Sequence, residues 1–181
     1  MYIEKAINNN VALGKDDWGH DVVVVGTGIG YHSMPYFLKD ERRIQHVYRD
    51  VSDTMYAVIA SLSQEAITIA TDVVDIARQD LNCGLNPNLA FTLADHLQFT
   101  INRIRDGVDI ENPLAPEVEY VYPREMEIGR KGLLLLYAVA GVEAPDHEAA
   151  AIALHIVNGE ALDPSDFENG RSSYGGLKTF S

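Results

Sequence analysis

Cysteine is almost missing from this chain: Cys83 stands alone, so no internal disulfide can close and no cysteine cluster can hold a metal. Long apolar runs are missing as well. The longest, such as Val22 to Val25 and Gly132 to Ala140, fall short of the ~20 residues a membrane span requires. The first residues include Glu4 and contain no signal-type apolar stretch. No membrane insertion and a cytoplasmic location are therefore expected. Basic charge is scarce too: 14 Lys and Arg face 27 Asp and Glu, a net charge of −13. At first sight that argues against nucleic acid, whose phosphates favour basic surfaces. The imbalance is uneven, however. Residues 1–50 carry six basic and seven acidic groups, which leaves eight basic against 20 acidic in the rest. What the chain does have is apolar content, 46% of its residues, enough for a folded core. Two domains of different electrostatic character are expected.

The front reads as short strands. Tyr2 to Ile7 is β-capable, Asn8-Asn9-Asn10 supplies a turn, and Val11 to Leu13 resumes a strand. Lys15 to Gly19 makes a hairpin loop, Asp21 to Val25 a β-branched strand broken by Gly26 to Gly30, and Arg43 to Arg49 a last strand. So small a sheet has one face to hide, which predicts a homodimer. From about Ser52 the period turns helical. Val58, Leu62, Ile69, Val73 and Ile76 share one face of a pattern capped near Gly84. Leu93, Leu97, Ile101 and Ile104 mark a second amphipathic helix stopped at Gly107. Pro113 and Pro116 open a short third helix that Pro123 ends. Ile128 to Ala140 is apolar on nearly all sides, as a central helix would be, and a last helix runs from Pro145 to about Asn158. The predicted fold class is α+β in two domains: a small antiparallel β-sheet domain over 1–53, an all-α helical bundle over 54–162, and a flexible tail over 163–181.

Two motifs suggest enzymes and fail on inspection. Val22 to Gly30 looks like a strand entering a dinucleotide-binding glycine loop, but Tyr31 stands where the third glycine belongs, and no βαβ unit follows. His147-Glu148 begins a zinc-protease pattern, but Ala151 occupies the second histidine position. No enzyme, no cofactor and no metal site is expected.

Several segments, taken in order, resemble the BglG/LicT/SacY family of transcriptional antiterminators. Lys5-Ala6-Ile7-Asn8-Asn9-Asn10-Val11 is similar to the family's opening KxINNNV, and Val24 to Tyr31 to its MGKGIGF signature. Leu93-Ala94-Asp95-His96-Leu97 resembles the first histidine motif. Asn112-Pro113-Leu114, Tyr122-Pro123, Ile128-Gly129 and Gly141-Val142 match the middle, and Ala153 to Asn158 is similar to the second histidine motif, IALHIVN. The likeness covers about residues 1–160.

The resemblance implies a co-antiterminator RNA-binding domain that dimerises and grips a leader-RNA hairpin, so that a competing terminator hairpin cannot form. It also implies a PTS-regulation domain whose histidines accept phosphoryl groups from HPr or a sugar-specific IIB component, in the control of sugar-utilisation genes. On these motifs Lys5, Asn8, Asn10, Gly26, Thr27, Gly28 and Tyr31 are the expected RNA-binding residues, and His96 and His155 the expected phosphorylation sites, with Arg103 a possible phosphoryl partner two helical turns beyond His96. The chemistry suits these roles. Side-chain amides read base edges, aromatic rings stack on unpaired bases, glycines let backbone approach phosphate, and a neutral imidazole is nucleophilic. Two departures stand out: Thr27 sits where the family is often basic, and His32, Ser33 and Met34 replace a lysine pair. These motivate an alternative, a phosphorylation-sensing dimeric interaction protein that has lost RNA binding.

Overall fold

The computed structural model describes residues 1–160, so the expected tail over 163–181 lies outside the described residues. Five strands, β1 (Tyr2–Ala6), β2 (Val11–Lys15), β3 (Asp21–Gly26), β4 (Tyr36–Phe37) and β5 (Ile44–Arg49), form one antiparallel sheet in the order β4-β1-β2-β3-β5. The β2–β3 hairpin pairs Val11 with Val25 at one end and Lys15 with Asp21 at the other. At the Lys15 end, the Asp16 carboxylate accepts from the backbone N–H groups of Trp18 and His20 at 3.0 and 2.9 Å, which closes the loop. The two-residue strand β4 had no periodicity to announce it.

The four valines of β3 are all buried, and they alternate between two separate cores. Val22 and Val24 join Ile3, Ala12, Ile29 and Leu38 in a small core under the 29–44 segment. Val23 and Val25, with Val11 and Tyr48, enter the large core of the helical part. The Tyr48 ring lies 4.4 Å from that of Phe91, and His46 Nε2 lies 3.2 Å from an Asp75 carboxylate oxygen. Each face of the sheet thus carries a core within the chain, while Phe37 of β4 stays 69% exposed, and the expectation of a single bare face is corrected.

Six α-helices follow: α1 (Asp53–Ser61), α2 (Gln64–Leu81), α3 (Leu89–Arg105), α4 (Ala115–Val121), α5 (Pro123–Leu135) and α6 (Glu148–Gly159). The single pattern expected from Ser52 onward is two helices bent by 115°. Ser63 causes the break: its Oγ accepts from Ala66 N and caps α2, while its own N–H donates to Gln98 Oε1 at 2.6 Å. The left-handed stop of α2 is Asn82 (φ 51°), two residues before the expected Gly84. The expected central helix at Ile128 to Ala140 instead begins at Pro123 and ends in a π-helical turn, Leu136–Ala140. It leaves Leu134, Tyr137 and Val139 exposed, because only one side of it packs on α2 and α6. No single helix among the described residues is long and apolar enough to cross a membrane.

Candidate nucleic-acid interface and paired histidines

The Asn8–Asn10 turn and the Gly26–Tyr31 loop are locked together at one end of the β2–β3 hairpin. Asn8 Oδ1 accepts from the backbone N–H groups of Asn10 and Val11, both at 2.9 Å, so this side chain builds the turn. Its Nδ2 is buried and has no partner among the described residues. Asn10 reaches across: its carbonyl accepts from Gly26 N at 2.8 Å and its Oδ1 from Gly28 N at 2.9 Å. Gly28 sits at φ +63°, a backbone form that side chains rarely adopt. Asn9 completes the seam, with its carbonyl accepting from Gly30 N at 3.0 Å and its Nδ2 donating to Tyr31 Oη at 3.0 Å. The Tyr31 ring is 74% exposed, so it is free of the core.

Asn8, Asn10, Gly26, Thr27, Gly28 and Tyr31 are therefore brought to one place. Lys5 is exposed on β1, three residues before Asn8. Two participants escaped the sequence reading. Asn9 stood in plain view within the triple asparagine. Arg43 arrives from just before β5; it donates from Nε to Thr27 O at 3.1 Å and from Nη2 to Gly28 O at 2.7 Å, with Nη1 2.7 Å from His32 Nε2. A cation thus lies under the loop where position 27 itself is neutral. Its only signal in the sequence was the Arg42-Arg43 pair.

In the helical part, His96 on α3 and His155 on α6 face each other with ring centroids 4.9 Å apart. Both are half-buried, and Thr100 Oγ1 lies 3.4 Å from His96 Nε2. Beside them Arg103 and Glu148 form a buried ion pair, 7% and 6% exposed. Arg103 also donates to Val108 O at 3.1 Å, and its Nε has no partner among the described residues. Arg103 lines the same cavity as His96, as the helical spacing suggested, but Glu148 already holds it. Asp109, His147 and Glu148 bring three potential ligand atoms within 4.8 Å of one another, yet the Glu148 oxygen nearest His147 is the one that accepts from Arg103. A cation there would have to displace a guanidinium.

Burial pushes the His96 imidazole below its ordinary range; Glu148 opposes that drop and Arg103 adds to it. Burial first, and then neighbouring His96, pushes His155 down to about 4. Both rings are thus neutral in the folded chain near pH 7. An unfolded histidine titrates at 6.5. Between there and about pH 4 the unfolded chain binds more protons than the folded one, so stability is intact above pH 6.5 and falls as pH falls through that window. His155→Gln should make this acid loss shallower, measured by urea unfolding at about pH 7 and about pH 5. Equal losses in variant and parent would show that the ring ionises freely in the fold.

Comparison with known proteins places this geometry. Residues 1–56 match the CAT RNA binding domain family and residues 71–159 the PRD domain family. The chain is 34% identical over 164 residues to "Transcription antiterminator LicT" of Bacillus subtilis, covering 88% of this chain and 59% of that protein. It is 34% identical over 164 residues to "Beta-glucoside operon antiterminator" of Dickeya chrysanthemi, covering 88% and 58%. The chain therefore spans about three fifths of the length of these relatives. Among solved structures, "Crystal structure of GlcT CAT-PRDI" superposes with a TM-score of 0.79 at 26% identity, over 88% of this chain and 98% of that one. A match to the CAT RNA binding domain family followed by a match to the PRD domain family, in this order and in the fold of GlcT CAT-PRDI, makes the chain similar to transcription antiterminators of the LicT/BglG type.

Proposed function

We propose that this chain is a non-enzymatic RNA-binding antiterminator, with residues 1–53 as its RNA-binding unit and 54–162 as its regulatory unit. It grips a hairpin in a nascent leader transcript and is controlled by phosphorylation of His96 and His155, with HPr or a sugar-specific IIB component as donor. The observation that carries the reading is the seam between the Asn8–Asn10 turn and the Gly26–Tyr31 loop, which holds an exposed aromatic ring beside side-chain amides. That surface suits unpaired or distorted bases, which are stacked on rings and read by amides. Arg43 supplies charge at the loop that Thr27 lacks. The homodimer and the cytoplasmic location belong to this reading through family resemblance.

The test is titration of an imperfect leader-RNA hairpin with the full chain at two salt concentrations. Asn10→Ala removes the tie between turn and loop, whereas Lys15→Ala removes a charge at the far end of the hairpin that Asp21 already neutralises at 2.6 Å. Asn10→Ala should weaken binding at least about tenfold and Lys15→Ala at most about twofold. Equal losses would reject this face as the RNA site. A parent chain that binds no hairpin would turn the assignment to the phosphorylation-sensing interaction protein.

A further inference from the structure

His96 on α3 and His155 on α6 lie 59 positions apart in sequence, yet their rings meet at 4.9 Å with planes tilted by 41°. Each ring also borders its own cavity. His96 lines one of about 250 Å³ together with Phe99, Arg103, Asn112 and Glu148. His155 lines another of about 300 Å³ with Asn86, Asn88, Thr92 and Asn158. A phosphoryl donor therefore has a separate approach to each imidazole, although the two imidazoles touch. We propose that they form a single phosphoryl-accepting site with two entrances, which holds one phosphoryl group at a time.

The inference rests on the reading of these histidines as phosphoacceptors and concerns how many groups the pair can carry. A phosphoryl group adds about −1.5 to −2 of charge. Two of them on touching, half-buried rings would repel with little screening from water. Countercharge is short as well. The cation lining these cavities is Arg103, already bound to Glu148, and its unpartnered buried Nε offers one further N–H. That is enough to receive an oxygen of one group. The His155 side is lined by asparagine amides and a threonine hydroxyl, which donate hydrogen bonds but carry no charge. The chain already senses this proximity, since the His96 charge lowers the affinity of His155 for a proton. Charging through one entrance would then close the other, and the domain would report which of two inputs arrived first rather than their sum.

Phosphoramidate tests this without a protein donor. In each charging step its P–N bond breaks and a new P–N bond forms to a ring nitrogen, while the proton from the ring's other nitrogen leaves with the departing ammonia. Full-length parent, His96→Gln, His155→Gln and the double variant are incubated to saturation at neutral pH and read by intact mass. The double variant gives the background from the remaining histidines. Expected is one phosphoryl group above that background in the parent and in each single variant, with doubly charged pairs below about one hundredth of singly charged ones. Two groups in the parent against one in each single variant would overturn single occupancy and leave the phosphoacceptor reading standing. No variant above background would overturn both. Should a single variant fail to fold, phosphorus NMR of the parent alone decides, since the summed occupancy of the two phosphohistidine signals must not exceed one per chain.

Discussion

Replacing Glu148 by alanine is expected to cost about 3–5 kcal/mol of folding stability, more than an ordinary surface change by several fold. The carboxylate and the Arg103 guanidinium are both more than nine-tenths buried, on α6 and α3. Removing the acid leaves a guanidinium with one backbone carbonyl, Val108 O, and no countercharge. Arginine cannot shed its proton to escape that situation. Arg103→Ala should cost a similar amount by stranding Glu148. Arg103→Met combined with Glu148→Leu should recover most of the loss, because two apolar chains of similar volume avoid the desolvation of both ions. Urea unfolding of the four proteins in a double-mutant cycle measures this. If each single change costs less than about 1 kcal/mol, the pair is hydrated and cannot organise the ground beside His96.

That pair shows where the sequence was legible and where it was not. Local punctuation read well: the Asn8–Asn10 turn, the Gly26 break and the Gly107 stop all sit where backbone chemistry puts them. The Leu93, Leu97 and Ile101 face of α3 is buried as its period requires. Failures arose where a side chain elsewhere decided the outcome. Gln98, 35 residues away, binds the Ser63 backbone at the α1–α2 break, which the apolar period alone runs straight through. The sheet was expected to have one face to hide, but the unbroken β-branched run of β3 fits a strand buried on both sides, and that is the form found. Arg43 and Glu148 act across 15 and 45 residues, distances over which spacing carries no signal. The meeting of His96 and His155 was of the same kind. The family resemblance paired them as motifs, and only the packing of α3 on α6 shows that their rings touch.

The largest effect on RNA should come from a residue with no side chain. A methyl group on Gly30 would lie 1.9 Å from the Asn8 carbonyl oxygen, a backbone atom that has no rotamer to yield. Gly30→Ala must therefore push the loop off the turn. The bonds in the path are Gly30 N to Asn9 O, Asn9 Nδ2 to Tyr31 Oη and Gly28 N to Asn10 Oδ1, the contacts that set the exposed ring against the amides. Leader-hairpin affinity should fall about a hundredfold, equivalent to about 2.7 kcal/mol. No charge is removed, so the dependence of binding on salt should keep the parent's slope. Lys5→Ala should do the opposite, with a smaller loss of affinity and a slope reduced by about 0.7–0.9 if that lysine neutralises one phosphate. Val11 and Val25, which flank the seam, belong to the core shared with the helices, so urea unfolding of the variant is measured alongside to separate loss of the seam from loss of the fold. Hairpin binding by Gly30→Ala within about threefold of the parent would mean that RNA does not read this seam, and the docked turn and loop would then serve only to close the end of the sheet.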